Sequence, residues 1–300
     1  MNRDTIADEF LKIQNEICLN LERIDGGAKF IEDNWKREGG GGGLTKVLQN
    51  GNVIEKGGVN FSSVHGEVPA FLKSVEMKPG ETFFATGVSI VIHPHNPFVP
   101  IIHMNIRYFE MSNGKYWFGG GIDLTPHYVR KEQATSFHKK LKSVCDRFDP
   151  EYYPLFKKQA DDYFFIPHRN ETRGIGGIFF DHLSEDKNHS KKQLFDFVCS
   201  VGRSFISCYE EQVEWNRNLF FNETNKQWQL LRRGRYVEFN LVYDKGTKFG
   251  LETNGRTESI LMSLPTNASW EYNFTPEKDS EEEKMLSLLK KGLDWLKIEG

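Results

Sequence analysis

From Ile101 to Glu110 polar and apolar side chains alternate: Ile102, Met104, Ile106 and Tyr108 fall on one parity, His103, Asn105 and Arg107 on the other. That period of two predicts a strand with one face in a core and the other carrying an acid/base group, an amide and a fixed cation. A polar His-x-Asn-x-Arg face backed by an apolar one suits the floor of a pocket for an anionic substrate. A preceding strand is predicted over about Phe83–Ile92, joined to it by the turn-rich His93-Pro94-His95-Asn96-Pro97 and Pro100. Further strands are expected around Leu44–Ser62, broken by an Asn50-Gly51 hairpin turn, and over 115–121 after Asn113-Gly114. Residues 4–36 read as an amphipathic helix or two, with Ile6, Phe10, Ile13, Ile17, Leu21 and Ile24 at helical spacing and Gly26-Gly27 as a break. Helices are predicted at 130–147, 150–164, 190–221 and from Ser280 to Leu296. Strands are predicted at 174–183, at 235–244 (RYVEFNLVYD) and from Glu258 to Leu264. Hairpin-joined strands followed by helices give an α+β fold with a large, mostly antiparallel sheet.

Composition narrows the classes. Three hundred residues with no repeat or clear linker suit a single domain over 1–300, with an N-terminal helical segment to about residue 36 and a C-terminal helix over about 280–298. A net charge of -3 gives no global basic field for nucleic acid or anionic membrane. The four cysteines, Cys18, Cys145, Cys199 and Cys208, lack CxxC spacing, which argues against a disulfide framework or thiolate zinc. No run of about 18 apolar residues predicts a transmembrane helix. The N-terminus reads as neither a secretory signal nor a presequence, so the expectation is a cytoplasmic protein.

Chemistry concentrates in a few segments. Gly119-Gly120-Gly121 strips side chains from a strand where a ligand or backbone can approach, and Asp123 follows directly. No GK[ST] follows, so this is not a phosphate loop; an anion beside glycines suits a cationic or N–H-donating ligand. As a bland alternative, Asp123 is a turn residue ahead of Thr125-Pro126. His93, His103, His138 and His168 sit in polar contexts, but no HExxH or CxxC anchors a metal; for His138 a solvent-facing helix position is the bland alternative. Arg169, Arg173, Arg232, Arg233, Arg235 and Arg256 lie on glycine- and aromatic-rich segments that would suit a flat ligand bearing several carboxylates. For any single arginine, ordinary surface ion pairing is the stronger reading. The five-glycine run Gly39–Gly43 is a linker or a mobile flap over a ligand.

Five blocks in order carry a family resemblance: GGGGGLTKVLQNGNVIEKGGVNFSSVHGE, HP-x-NP…H-x-N-x-R, WFGGGIDLTP, DDYFFIPHRNETRGIGGIFFD and RRGRYVEFNLVYDKGTKFGLETNGRTESILMSLP. Over about Trp35–Tyr272 the chain resembles the oxygen-dependent coproporphyrinogen III oxidases. His127, where an aromatic is expected, and Ala160, where a cysteine is common, depart from the pattern.

The resemblance implies a flat sheet flanked by helices on both faces and a homodimer formed through about Tyr236–Tyr272. It implies oxidative decarboxylation of the ring A and B propionates of coproporphyrinogen III to vinyl groups, giving protoporphyrinogen IX, with O2 consumed and CO2 and H2O2 released. No organic cofactor is implied; a divalent metal is disputed, and His93, His103, His138 and His168 match its proposed ligands. Asp123 matches a carboxylate that accepts the tetrapyrrole N–H groups, and His103 an acid/base residue. Ser89, Asn105, Ile106, Arg107, Asn254, Gly255 and Arg256 match substrate-binding positions, and Arg107 or Arg256 would hold the reacting propionate. Two other classes compete: a metal-dependent oxygenase or hydrolase using the four histidines, and a non-catalytic tetrapyrrole carrier.

Overall fold

The computed structural model describes residues 1–67, 80–252 and 255–298. In chain order the helices are α1 (Arg3–Asp25), α2 (Lys131–Asp146), α3 (Tyr152–Tyr163), α4 (Lys191–Asn216), α5 (Glu223–Val242), α6 (Lys245–Glu252), α7 (Thr257–Leu261) and α8 (Glu281–Ser287). The strands are β1 (Ile31–Lys36), β2 (Gly41–Gln49), β3 (Ile54–Glu67), β4 (Thr82–Pro94), β5 (Ile101–Met111), β6 (Tyr116–Thr125), β7 (Phe165–Ile166), β8 (Glu171–Thr172) and β9 (Gly176–Leu183). Among the described residues, seven strands form one antiparallel sheet in the order β1-β2-β3-β4-β5-β6-β9, and β7 and β8 form a small hairpin of their own. The fold is α+β, as the pattern predicts.

The turns do what their residues dictate. Asn50 takes a positive φ of 55° between β2 and β3, and Gly114 one of 86° between β5 and β6. One sheet face is the core: Val88, Ile90, Ile92, Ile102, Met104, Ile106 and Tyr108 pack with Phe10 and Ile13 of α1 and Val198, Val201 and Phe205 of α4. Gly202 lets α4 approach that face, because a Cβ there would sit 2.9 Å from the Ile106 side chain. The opposite face is covered in part by α5 and the segment after it: Tyr236 packs on Val91 and Ile101, and Met262 lies over Gly58.

Five expectations are corrected. Residues 31–36 are an edge strand, not helix: α1 ends where Gly26 turns left-handed (φ 72°), and β1 is too exposed to show a core pattern. The five-glycine run is neither linker nor free flap, since Gly41–Gly43 open β2 and pair on both sides. A Cβ on Gly43 would meet the Trp35 ring at 2.4 Å, so the run lets an indole lie flat on the strand. Residues 235–244 belong mostly to helix α5, which starts at an Asn222–Asn225 capping box and buries Trp228, Arg232, Tyr236, Phe239 and Asn240 at helical spacing. Gly234, inside it, clears the Ser269 carbonyl, which a Cβ would meet at 2.5 Å. Glu258–Leu264 holds the short helix α7, not a strand. The C-terminal helix is limited to Glu281–Ser287, followed by turns that bury Trp295.

Candidate active site

On the face away from the α1/α4 core, cross-strand register lines up one row across the whole sheet: Asp33, Thr45, Asn60, Ser89, Asn105, Gly121 and Phe179. A neighbouring row holds Trp35, Gly43, Ser62, Gly87, Arg107 and Gly119. The other flanking row ends in Val91, His103, Asp123 and Gly177. Same-face rows lie about 6–7 Å apart. Small and polar residues therefore make a flat trench, bounded at one end by the stacked rings of Phe83, Phe109 and Trp117. Thr45 ties the trench to its cover: its hydroxyl lies 2.7 Å from Asn60 Oδ1 and 2.8 Å from Ser259 Oγ on α7, and it accepts from Trp35 Nε1 at 3.1 Å.

The most charged part of the trench is His103–Asp123–Arg173. Asp123 is 1% exposed. His103 Nδ1 lies 2.8 Å from its Oδ1, and Arg173 Nη2 donates to both oxygens at 2.7 and 2.8 Å. Burial pushes the Asp123 carboxyl up, but the Arg173 guanidinium and the His103 ring outweigh it and hold it below the usual carboxylate range. An ionised carboxylate only accepts, so His103 Nδ1 carries a proton, and in the neutral ring Nε2 is the acceptor; the ring is partly exposed. Arg173, buried and raised in pKa by Asp123 against its own desolvation, also donates to Asn240 Oδ1 at 3.0 Å. Its guanidinium lies among Phe164, Tyr236 and Phe239 at 4.4, 4.8 and 4.6 Å.

Other site residues fall as follows. Ser89, Asn105 and Arg107 face the trench, with Arg107 Nη1 donating to Asn105 Oδ1 at 2.9 Å and Nη2 lying 3.0 Å from Asp181. Ile106 does not: its side chain is buried in the core on the reverse face, leaving only its backbone toward its strand neighbours. Arg256 caps the start of α7 and pairs with Asp33 of β1; Gly255 adjoins it, while Asn254 lies outside the described residues. Arg232 and Arg233 are not surface charges, being buried against Glu171 and Glu55.

The four histidines do not converge. His93 is buried, its Nε2 2.9 Å from the Ser263 carbonyl, and burial with Arg233 nearby pushes it down to about 3. His138 is no solvent-facing residue: it is fully buried between Tyr153 Oη and the Ile175 carbonyl, each 3.0 Å away, and burial takes it to about 3. His168 sits between Tyr243 and Glu238, both at 2.7 Å. Among the described residues, no group of three or more His, Cys, Asp or Glu side chains is placed to hold a metal ion. The residues present do not fit the proposed four-histidine site.

The sequence offers Arg173 as one of six arginines for ligand carboxylates, but not as the partner of Asp123, the contact that dominates the site. Asp33, Asp181 and Thr45 were unmarked. Their alignment with Ser89 and Asn105 depends on register between strands far apart in sequence.

The trench thus brings together arginines, amides and a histidine held by a buried carboxylate. The family model described as Coproporphyrinogen III oxidase matches residues 5–295. The oxygen-dependent coproporphyrinogen-III oxidase of Drosophila melanogaster is 52% identical over 300 residues, 95% of this chain and 76% of its own. Coproporphyrinogen-III oxidase 1, chloroplastic, of Arabidopsis thaliana is 49% identical over 298 residues, 94% of this chain and 76% of its own. The chloroplastic oxygen-dependent enzyme of Glycine max is 50% identical over 298 residues, 94% of this chain and 77% of its own. The chain belongs to the coproporphyrinogen III oxidase family. Its activity is the oxidation of coproporphyrinogen III in porphyrin biosynthesis, and the oxygen-dependent relatives imply O2 as co-substrate. No described helix is long and apolar enough to cross a membrane.

Proposed function

We propose that the trench binds coproporphyrinogen III over Ser89, Asn105 and Gly121, with Arg107 and Arg256 as propionate partners and His103 as the proton-transfer group. The observation that carries this reading is the His103 ring, fixed by Asp123 and Arg173 so that Nε2 offers its lone pair. Each cycle converts one propionate: the –CH2CH2COOH arm plus O2 gives –CH=CH2, CO2 and H2O2. Two cycles make the ring A and B vinyl groups. The electron-rich pyrrole supplies the electrons. His103 Nε2 accepts the pyrrole N–H proton as dioxygen adds at a pyrrole carbon. The resulting peroxide takes a proton from the propionate β-carbon, the electron pair of the breaking C–CO2 bond forms the double bond as CO2 departs, and the ring carbon–oxygen bond breaks to release hydroperoxide. His103 returns its proton to the pyrrole nitrogen, and a solvent proton equivalent to the carboxyl hydrogen completes H2O2. Positioning of the reacting arm by an arginine fork lowers the barrier further.

Asp123 enters this scheme through His103. With three contacts already made and 1% exposure, it meets the pyrrole N–H groups directly only if Arg173 or His103 yields. Because the four histidines do not form a donor set, no step passes through a metal. The test is aerobic and anaerobic incubation of metal-stripped wild type and His103→Gln. Wild type should make vinyl product only with O2, and His103→Gln should lose roughly 10²- to 10⁴-fold in kcat with a smaller change in KM. Activity that returns only when one metal is restored, or an unchanged kcat in the variant, would remove the histidine from this role.

The same reading includes a homodimer. Leu241 and Val242 at the end of α5, Trp270 and Tyr272 are exposed large apolar side chains, Tyr272 at 96%, of the kind that a second copy would cover. Sedimentation should give twice the chain mass, and a Tyr272→Glu, Leu241→Glu variant should sediment as a monomer; a monomeric wild type would dismiss the idea. The four buried, unpaired cysteines accord with the cytoplasmic location we infer.

A further inference from the structure

Five arginines on this side of the sheet differ in how their charge is met. Arg173, Arg232 and Arg233 are buried, 2%, 5% and 1% exposed, with carboxylates that serve them permanently. Arg107 and Arg256 are different. Their side chains are 34% and 30% exposed, and the carboxylates opposite them, Asp181 and Asp33, are 33% and 48% exposed. Those two aspartates lie on β9 and β1, the two edge strands, and Asp33 ends the polar row that crosses the trench. Arg107 reaches Asp181 by lying flat over Gly119, where a Cβ would come within 2.6 Å of its Nε.

We propose that Asp181 and Asp33 are resident stand-ins for substrate carboxylates, each holding an arginine in the free enzyme and surrendering it to a propionate on binding. The inference rests on the propionate role given to Arg107 and Arg256 above. A half-exposed Arg–Asp pair contributes little net stability, so a second carboxylate of the same chemistry can replace the first at small cost. The resident pair meanwhile keeps each side chain ordered and spares the arginine an unpaired state. The exchange also gives the reaction a direction. A propionate that becomes a vinyl group has lost the carboxylate that displaced the aspartate, and the aspartate reclaims its arginine. The product is thereby disfavoured at the position where the substrate was held.

The test is an anaerobic equilibrium titration with coproporphyrinogen III, in which binding is read without turnover. Asp181→Asn and Asp33→Asn should each bind about two- to fivefold more tightly than wild type, the range that the modest worth of exposed pairs allows. Loss of a negative charge would also attract a tetra-anion from a distance, so the decisive arm is a double-mutant cycle. In an Arg107→Gln background the gain from Asp181→Asn should vanish if the two carboxylates exchange on one arginine, and should persist if the effect is only the field. Unchanged or weaker binding by Asp181→Asn, in a protein with wild-type circular dichroism and melting temperature, would show that the aspartate merely positions Arg107 and would overturn the proposal. A wild type that fails to bind coproporphyrinogen III at all would instead overturn the substrate reading beneath it.

Discussion

Asp123→Ala should abolish turnover and also destabilise the protein by about 3–5 kcal/mol, the usual cost of stranding one partner of a buried ion pair. The reason is Arg173, which is 2% exposed and donates to both Asp123 oxygens. Removing the carboxylate leaves a guanidinium among Phe164, Tyr236 and Phe239 with Asn240 Oδ1 as its remaining hydrogen-bond acceptor. A carboxylate that served only the ligand could be removed without harm to the fold; this one cannot, so an inactive Asp123→Ala protein would not by itself identify a catalytic carboxylate. Asp123→Asn paired with Arg173→Gln separates the two effects. Neutralising both partners should return most of the lost stability, because neither is left as an uncompensated charge. It should not return activity, since His103 Nδ1 no longer faces a carboxylate and the ring is free to present either nitrogen. We expect kcat to stay roughly 10²- to 10⁴-fold below wild type in the pair. Recovery of near-wild-type kcat together with the melting temperature would mean that the Asp123 charge does no work in the reaction.

What could be read from the chain divides by how local its cause is. His103, Asn105 and Arg107 were legible because a strand puts alternate residues on one face, and the alternating Ile, Met and Tyr residues declared which face was the core. The same rule places Ile106 on the wrong side for a site side chain. Asp123 was legible from the glycines before it. Arg173 was legible as a candidate for ligand carboxylates but not as the partner of Asp123, because that contact spans 50 residues of sequence. The Arg232-Arg233 run looked like surface charge because its neutralising partners, Glu171 and Glu55, lie on other elements. In α5 the pattern misled for a different reason. Tyr236, Phe239 and Asn240 form the buried stripe, but Leu241 and Val242 are apolar and exposed, so the segment carries apolar residues on both sides and mimics a strand. The capping box at Asn222 and the spacing of Trp228, Arg232 and Tyr236 were the signals of a helix.

Asp25→Ala should unfold the protein several degrees earlier, although this residue lies outside the trench. Asp25 ends α1, is fully buried, and accepts from five backbone N–H groups. Oδ2 takes Gly27 at 3.2 Å, Ala28 at 2.9 Å and Asn52 at 3.0 Å, while Oδ1 takes Val53 and Ile54 at 2.9 Å each. One carboxylate therefore pins the end of the first helix to the β2–β3 turn, and with it the strands that carry Thr45 and Asn60. Gly51 makes room for it, since a Cβ there would come within 2.3 Å of Oδ1. Alanine leaves these donors without their acceptor, which costs about 3–5 kcal/mol if water cannot reach them. With the usual unfolding entropy per residue, that is roughly 5–8 °C in Tm for a chain of this length. Asparagine should rescue little, because its NH2 group would face donors on one side. The pH dependence has a definite sign. Burial pushes the Asp25 carboxyl up, but the backbone N–H groups outweigh it and its folded pKa lies below the ordinary value. The charge's contribution is then complete above the unfolded pKa of about 4 and fades as pH falls through the folded value. The gap in Tm between wild type and Asp25→Ala should be full at pH 7 and narrow in acid below about pH 4. A gap that widens in acid would mean that the carboxyl is held protonated in the folded protein and that the five-donor account is wrong.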